Sequence, residues 1–306
     1  MEVFVPMDEA LTRALQRIEQ SVSLEEQDWE ALTAGSDLIS VGLAADEARR
    51  RHHGDRVTFV QVVEVPLDNA EASDPIPEQA GEVRLVGRPE TVSQTIKAVK
   101  ALADWAGVVP VTGFALEDLL DLCGNKSEKL ERLLQQLRQA GLAMVSRVAF
   151  DALGKPEPIL AALRAGGMDV ASLCVDSPSG ATFREALLEV ASWKRVGTVF
   201  RSLAPLARMD PDLPSTGYGD LRRVALARLL VDNIGSIQVD WARHGSKLSQ
   251  VALTFGADDV DAVSAVASSD QGWRRSPREE ILRNIAAAGL TAIRRNGGFE
   301  EVADEG

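Results

Sequence analysis

Short runs of β-branched and apolar residues alternate with helical segments from about residue 57 to residue 264, and this alternation restricts the fold more than any other feature. Strands that alternate with helices indicate a parallel sheet. Eight such units predict an α/β fold, a TIM-type (β/α) barrel. The candidate strands are residues 57–65, 82–87, 108–112, 142–148, 169–175, 197–204, 236–240 and 258–263.

Helical segments flank this region on both sides. Residues 8–20 and 37–53 have helical periodicity, and Ser23 with Glu26 has the spacing of a capping box at the start of another helix. We therefore divide the chain into an N-terminal helical segment (1–56), the barrel (57–275), and a C-terminal helix with an acidic tail that packs on the barrel (276–306).

The connection between the first two strands is abnormal. Residues 66–81 contain three prolines and no apolar periodicity, although parallel strands need a crossover that is usually helical. This observation leaves open whether the barrel is complete at its first crossover.

Charge and composition exclude some classes of function. The net charge is -13, with 33 Lys and Arg against 46 Asp and Glu. This charge repels nucleic acid and anionic lipid, so we expect neither as a partner. No apolar run is long enough for a membrane span, and we expect a cytoplasmic protein. Cys123 and Cys174 both lie in apolar segments, which favours a core role for each.

Two stretches resemble a known family. One is residues 37–59, DLISVGLAADEARRRHHGDRVTF. The other, within residues 213–263, runs from Leu229 to Asn233, through Trp241, Gly245 and Lys247, to the Phe-Gly-Ala-Asp-Asp turn at residues 255–259. These motifs resemble the radical-SAM group of aminofutalosine synthase, dehypoxanthine futalosine cyclase and the second subunit of deazaflavin synthase. Nearly the whole chain aligns apart from a gap after Glu64, and the motifs are closer to the two menaquinone enzymes.

The resemblance implies a (β/α) barrel and, in the family, a [4Fe-4S] cluster on a CxxxCxxC loop that chelates S-adenosylmethionine. That loop is absent here, because Cys123 and Cys174 are 51 residues apart. Arg88 stands where the family has a glycine in its Gly-Gly-x-x-Pro turn, and residues 144–151 replace a Gly-rich segment. From these departures we predict that the chain uses no cofactor, neither cluster nor S-adenosylmethionine, binds no metal, and lacks radical-SAM activity.

Five residues are candidates for ligand binding at the strand ends. Trp241 could stack on a flat ring, and carboxylates could accept hydrogen bonds from ribose hydroxyls. Helix capping or turn formation would account for Asp258 and Asp259 equally well, and Trp241 could instead close the end of the barrel. The candidates are Asp176, Ser177, Trp241, Asp258 and Asp259. No catalytic residue is assigned.

Three functions remain open. The first is a noncatalytic, radical-SAM-like paralogue associated with menaquinone biosynthesis by the futalosine pathway, which binds a nucleoside-like pathway molecule or an active radical-SAM relative. The second is a repurposed barrel enzyme that uses Asp176, Asp258 or Asp259 in acid–base chemistry and needs no cluster. The third is a structural protein whose acidic helices mediate self-association.

Overall fold

The computed structural model shows a closed barrel of eight parallel strands surrounded by helices, as the sequence predicts. It describes residues 9–20, 22–33, 37–69, 75–176, 180–194, 196–206, 216–266 and 276–303. The strands are β1 (Arg56–Pro66), β2 (Glu82–Val86), β3 (Val111–Ala115), β4 (Leu142–Ala149), β5 (Val170–Cys174), β6 (Phe200–Ala204), β7 (Ser236–Asp240), β8 (Asp259–Ser264) and β9 (Thr291–Arg294). Each of the eight predicted strands overlaps one of β1 to β8, which pair in sequence order.

The barrel closes between β1 and β2 in spite of the unusual connection. The carboxyl half of β1, from Val62 to Pro66, pairs in parallel with Glu82 to Val86 of β2. Among the described residues of the connection, 67–69 form a single 3-10 turn and 75–81 form neither helix nor strand. Direct pairing of these strands therefore settles the question that the sequence left open, and the barrel is complete.

A ninth strand, β9, pairs with the amino-terminal half of β1. β9 pairs in parallel with Arg56 to Phe59, the half of β1 that β2 does not reach. The chain beyond it passes close to Gly81, where a Cβ atom would lie 2.8 Å from the Arg295 carbonyl oxygen. The segment after the last helix thus adds a strand to the barrel, and the sequence analysis, which expected this segment to pack on the barrel, did not predict that strand.

The helices surround the barrel and cover its outer face. They are α1 (Glu9–Glu19), α2 (Glu26–Thr33), α3 (Leu38–His53), α4 (Val92–Ala106), α5 (Leu116–Leu122), α6 (Ser127–Gln139), α7 (Pro156–Gly166), α8 (Gly180–Ser192), α9 (Gly217–Leu230), α10 (Trp241–Leu253) and α11 (Pro277–Ala287). The leucines of α6 form a buried stripe, since Leu130, Leu133, Leu134 and Leu137 are all at most 2% exposed. No helix in the described part is long and apolar enough to cross a membrane.

Polar caps set the ends of the N-terminal helices. Asp37 caps α3 by accepting a hydrogen bond from the Ser40 backbone N–H at 2.9 Å, and Gly54 ends the helix. The capping residue of α2 differs from the expectation. Its cap forms around Glu25, whose backbone N–H donates to Asp28 at 2.8 Å, so the helix begins at Glu26 and not at Ser23.

The strand faces that point into the barrel carry polar residues, whereas the outward faces are apolar. In β2 the interior positions are Glu82 and Arg84, and the alternate positions Val83 and Leu85 are buried against the helices. The same two-residue spacing of polar side chains occurs at residues 238 and 240 of β7 and at residues 259 and 261 of β8. The apolar core therefore lies between barrel and helices, and the barrel itself encloses a charged interior.

Candidate functional site

A cavity of approximately 640 Å³ opens at the carboxyl ends of the barrel strands. This is the end at which barrel proteins bind ligands, and the volume falls within the usual range for small-molecule sites. Apolar side chains such as Phe114 and Leu206 alternate with charged groups in its wall. The lining carboxylates are Glu64, Glu117, Asp118, Asp176, Asp240 and Asp261, and the lining guanidinium groups are Arg84, Arg147 and Arg243. The cavity is therefore acidic in balance.

Below the cavity, Asp259 and Arg295 form the floor of the barrel. The Arg295 Nε and Nη2 groups donate to the two Asp259 carboxylate oxygens at 2.6 and 2.8 Å. Thr58 and Gln238 donate to the same carboxylate at 2.5 and 2.7 Å. Asp259 is 0% exposed and Arg295 2%, so this pair is cut off from water on all sides. A satisfied buried pair of this kind closes the floor but offers no group to a ligand.

Above the floor, Arg84 holds two carboxylates in place. It donates to both Asp261 oxygens at 3.0 and 2.8 Å, and to Glu82 at 2.7 Å. Burial alone would raise the pKa of Asp261, but the charge of Arg84 and its hydrogen bonds outweigh burial and leave that pKa below its usual value. Asp261 therefore stays ionised and fully paired.

Asp240, the last residue of β7, lies beside Asp261 in the parallel register of β7 and β8. Its Oδ1 accepts a hydrogen bond from the Arg243 backbone N–H at 2.9 Å, which caps α10. Burial raises the pKa of the Asp240 carboxyl, and the neighbouring charge of Asp261 raises it further. The two adjacent carboxyls thus have pKa values shifted in opposite directions.

The opposite wall, on β4 and β5, carries hydrogen-bonding groups that are not satisfied. Arg147 and Ser172 are register partners on these two strands, and both line the cavity. The Arg147 Nε and the Ser172 Oγ are buried and have no nitrogen or oxygen partner among the described residues. Ser172 does contact the thiol of Cys174, which is a weak hydrogen-bonding group. This wall is therefore a place where an incoming ligand could complete the hydrogen bonding.

The Cys174 thiol, also in the cavity wall, should react slowly. Burial raises its pKa to about 11, so at pH 8 its thiolate fraction is lower than that of a free cysteine by roughly two orders of magnitude. We expect iodoacetamide to alkylate Cys174 in a Cys123→Ser variant at least tenfold more slowly than it alkylates glutathione, with a rate that still rises between pH 8 and pH 10. Rapid labelling at pH 8 that does not change with pH would contradict this prediction.

Of the five residues that the sequence suggested for ligand binding, Asp176 lies in the cavity wall. Ser177 lies outside the described residues. Trp241 is 5% exposed and belongs to the apolar core at the start of α10. Whether any of them binds a ligand remains a prediction.

Asp258 and Asp259 are not at the mouth, and this part of the sequence prediction is corrected. Both lie at the amino end of β8, whereas the cavity opens at its carboxyl end. Asp258 accepts from the Arg228 guanidinium and from the Ile237 backbone N–H. Because β8 begins at Asp259, the Asp-Asp turn precedes the strand, and the residue of β8 that reaches the cavity is Asp261.

The sequence analysis missed Arg84, Arg147, Asp240 and Asp261. A signal for three of them was present, since each stands two residues after another polar residue in a short apolar strand: Glu82, Gln238 and Asp259. Polar residues with a period of two indicate a polar strand face, and in a barrel the face away from the helices is the interior. Arg147 lacks this signal, because Ser146 precedes it directly.

The C-terminal part of the chain is similar to a known sequence family. Residues 192–304 match the family model described as the CofH/MqnC C-terminal region. A 5-amino-6-(D-ribitylamino)uracil–L-tyrosine 4-hydroxyphenyl transferase from Methanothermobacter thermautotrophicus is 24% identical over 94% of this chain and 96% of its own length. Two Streptomyces coelicolor proteins, aminodeoxyfutalosine synthase and cyclic dehypoxanthine futalosine synthase, are 36% and 35% identical over 28% and 29% of the chain.

These two futalosine enzymes are matched over 24% and 23% of their own length, respectively. Among solved structures, methylornithine synthase (PylB) has a TM-score of 0.64 at 12% identity, covering 92% of this chain and 97% of its own. The hydrogenase maturase HydG from Carboxydothermus hydrogenoformans has a TM-score of 0.63, also at 12% identity, covering 93% and 79%. The chain is thus homologous to aminofutalosine synthase and to the radical-SAM family, which supports association with the futalosine pathway.

The comparisons overturn the prediction that the chain uses no cofactor. Its homologues and structural neighbours are radical-SAM enzymes, which use a [4Fe-4S] cluster and S-adenosylmethionine. The prediction was wrong because it extended the absence of one cysteine motif to the use of any cofactor. We therefore withdraw it.

A second question is whether the side chains of this protein could hold an iron–sulfur cluster. Iron–sulfur clusters are held by several cysteine thiolates, and this sequence contains only Cys123 and Cys174. Cys123 is buried at the end of α5, whereas Cys174 lines the cavity at the end of β5. In the described ranges no group of three His, Cys, Asp or Glu side chains could hold a metal ion. These residues therefore do not fit a cluster.

Proposed function

We propose, from this homology and from the cavity, that the chain binds a small molecule that combines a nitrogen heterocycle with a ribose-derived chain, at the carboxyl end of the barrel. The observation that carries the proposal is the cavity itself, which is enclosed by all eight barrel strands and acidic in balance. Carboxylates accept hydrogen bonds from hydroxyl and amino groups, the groups that such a molecule presents. The proposal concerns binding and assigns no reaction to the chain.

The compounds for which the relatives are named limit the range of candidate ligands. One relative is named for 5-amino-6-(D-ribitylamino)uracil, and two others are named for futalosine compounds. The apolar side chains of Phe114 and Leu206 suit a flat ring, while the carboxylates of Asp240 and Asp176 can accept hydrogen bonds from its polar substituents. We therefore propose a futalosine-type compound as the ligand, with the ribityl pyrimidine as the competing member of the same class.

Calorimetric titration tests this proposal. Aminodeoxyfutalosine, dehypoxanthine futalosine and 5-amino-6-(D-ribitylamino)uracil are titrated separately into the full chain. We expect at least one of them to bind with a stoichiometry near one and to raise the melting temperature, since a ligand that binds only the folded state stabilises it. The absence of both heat and stabilisation for all three compounds would contradict the proposal.

Substitution of Asp240 tests whether the ligand binds in the cavity. Asp240→Asn removes the charge but keeps a residue that can cap α10, so the fold should persist. We expect the dissociation constant to rise about tenfold, the usual effect of losing one hydrogen bond to a charged group. Asp169→Asn is the matched control, because Asp169 pairs with Arg201 just before β5 and does not line the cavity. Equal losses in both variants would argue against binding at this site.

Acid–base catalysis is a second candidate function, favoured by the adjacent carboxyls of Asp240 and Asp261. Environments that separate the pKa values of two neighbouring carboxyls are typical of acid–base pairs. Asp240 would donate a proton while Asp261, paired with Arg84, stays ionised. The test is incubation of each compound above with wild-type chain and with Asp240→Asn, followed by mass spectrometry. A product formed by the wild type alone supports catalysis, and no product with any compound contradicts it.

A further inference from the structure

The β4–β5 wall of the cavity contains two buried hydrogen-bonding groups whose partners are missing. The Nε of Arg147 and the Oγ of Ser172 have no nitrogen or oxygen partner among the residues that the structure describes. Ser172 is 5% exposed, and both side chains line the cavity. A buried donor without an acceptor is energetically unfavourable, so this wall favours a ligand that supplies acceptor atoms.

The two groups are close enough to act on one ligand group. Arg147 and Ser172 are paired in the parallel register of β4 and β5, and neighbouring strands lie about 4.8 Å apart. A guanidinium group presents its N–H donors in a fork that matches the two oxygens of a carboxylate. The Ser172 hydroxyl can add a third hydrogen bond to the same group.

Neighbouring acids do not already fill this position. The closest approach of a carboxylate to Arg147 is Glu117 Oε1 at 3.5 Å from Nη2, an ion pair that is too long for a normal hydrogen bond. The other Glu117 oxygen accepts from the Ala149 backbone N–H at 3.4 Å. Neither oxygen hydrogen-bonds to Nε, which is buried and has no partner among the described residues.

We infer that Arg147 and Ser172 form a subsite for a carboxylate group of the ligand. This inference rests on the proposed function, because it assigns one end of the molecule in the same cavity. The opposite wall carries Asp240 and Asp261, so the cavity has donors on β4 and β5 and acceptors on β7 and β8. It therefore fits a molecule with a carboxylate at one end and hydroxyl or amino groups at the other.

A carboxylate is favoured over a phosphate by the charge of the cavity. Among the described residues, six carboxylates and three guanidinium groups line it, and Arg84 already pairs with Asp261 and Glu82. A dianion would meet more repulsion from these acids than a monoanion, since like charges in a partly buried site interact strongly. One negative charge matches the Arg147 guanidinium, whose Nε has no partner among the described residues.

The test uses benzoate, benzamide and inorganic phosphate as probes with the full-length chain. Benzamide has the ring and shape of benzoate without the charge. Affinities are measured by ligand titration in the ¹H–¹⁵N spectrum of the arginine Nε groups, where a new acceptor on Nε moves its signal. We expect benzoate to shift one arginine Nε signal, assigned to Arg147 by its loss in Arg147→Met, and to bind at least fivefold more tightly than benzamide or phosphate.

Variants separate a binding role from a structural one. Arg147→Met should weaken benzoate binding at least tenfold and leave benzamide binding within twofold, because only the charged hydrogen bonds are lost. Ser172→Ala, a smaller change, should weaken benzoate about threefold or more. Arg201→Met is the matched control, since Arg201 lies on neighbouring β6, is half-exposed, pairs with Asp169 and does not line the cavity. It should leave both affinities unchanged.

Several results would overturn the subsite. They are equal binding of benzoate and benzamide, phosphate binding as tight as benzoate, or unchanged benzoate affinity in both Arg147→Met and Ser172→Ala. If a futalosine compound binds in the calorimetric titration while benzoate shows one of these results, the subsite is wrong and the proposed function stands. If benzoate binds as expected but no heterocyclic compound does, the subsite stands and the proposed ligand class is wrong.

Discussion

Replacing Arg295 with methionine should lower the free energy of unfolding by about 3–5 kcal/mol, because it leaves a buried carboxylate without its cation. Arg295 donates two hydrogen bonds to Asp259, and both side chains are at most 2% exposed. Methionine retains much of the side-chain bulk, so the loss reports on charge more than on a cavity. Urea-induced unfolding followed by circular dichroism at pH 7 measures the effect.

The control for this variant is Arg56→Met. Arg56 pairs with Glu301 at the same end of the barrel, but their side chains are 50% and 61% exposed. Exposed pairs contribute about 0–1 kcal/mol, so Arg56→Met should have little effect. The double variant Arg295→Met with Asp259→Asn should recover part of the stability. Equal effects of the two single variants would mean that the floor of the barrel does not depend on the Arg295–Asp259 pair.

Replacing Arg84 with methionine should also cost about 3–5 kcal/mol at pH 7, since two nearly buried carboxylates, Asp261 and Glu82, lose the same partner. In the wild type the pKa of Asp261 lies below its ordinary value of 3.8, so its contribution to stability is present above pH 3.8 and is lost as the pH falls through the lower, folded-state pKa. Without Arg84, burial instead raises that pKa. The variant then takes up a proton on folding at mildly acidic pH, so the difference from wild type should narrow as the pH falls from 7 to 4.

Urea unfolding at pH 8, 7, 6, 5 and 4 measures this difference. Arg88→Met serves as the control, because Arg88 is 68% exposed and pairs at the surface with Asp121. It should change stability little and without pH dependence. A difference between Arg84→Met and wild type that stays constant from pH 8 to pH 4 would show that Asp261 does not depend on Arg84 for its charge state.

The barrel could be predicted from the sequence because its signals are local. Strands such as β7, which reads SIQVD, are short and bounded by helical segments, and alternation alone then gives the parallel arrangement. The eighth predicted strand, residues 258–263, likewise corresponds to β8. By contrast, β9 is only four residues long and follows the last helix. It is a strand because the amino half of β1 has an open edge there, and that edge is not visible in the local sequence.

The candidate site was harder to predict because it depends on which side of each strand faces inward. Asp258 and Asp259 were assigned to the mouth from their place near the eighth strand, but β8 begins at Asp259, so they lie at the opposite end. Asp261, two residues further along, has the position that was expected of them. Arg147 and Ser172 become a pair only through the register of β4 and β5. Single-sequence patterns fix neither register nor strand ends to one residue.

Protection of Cys174 from alkylation is the most direct test that the ligand occupies the cavity. Cys174 lies in the cavity wall, whereas Cys123 is buried outside it and serves as an internal reference. The rate of iodoacetamide labelling at each cysteine is measured by mass spectrometry at pH 9, with and without a futalosine compound at ten times its dissociation constant. We expect at least a fivefold slower reaction at Cys174 and a smaller slowing at Cys123, which reports only the general stabilisation of the fold. A compound that binds the chain yet leaves the Cys174 rate unchanged would contradict this expectation.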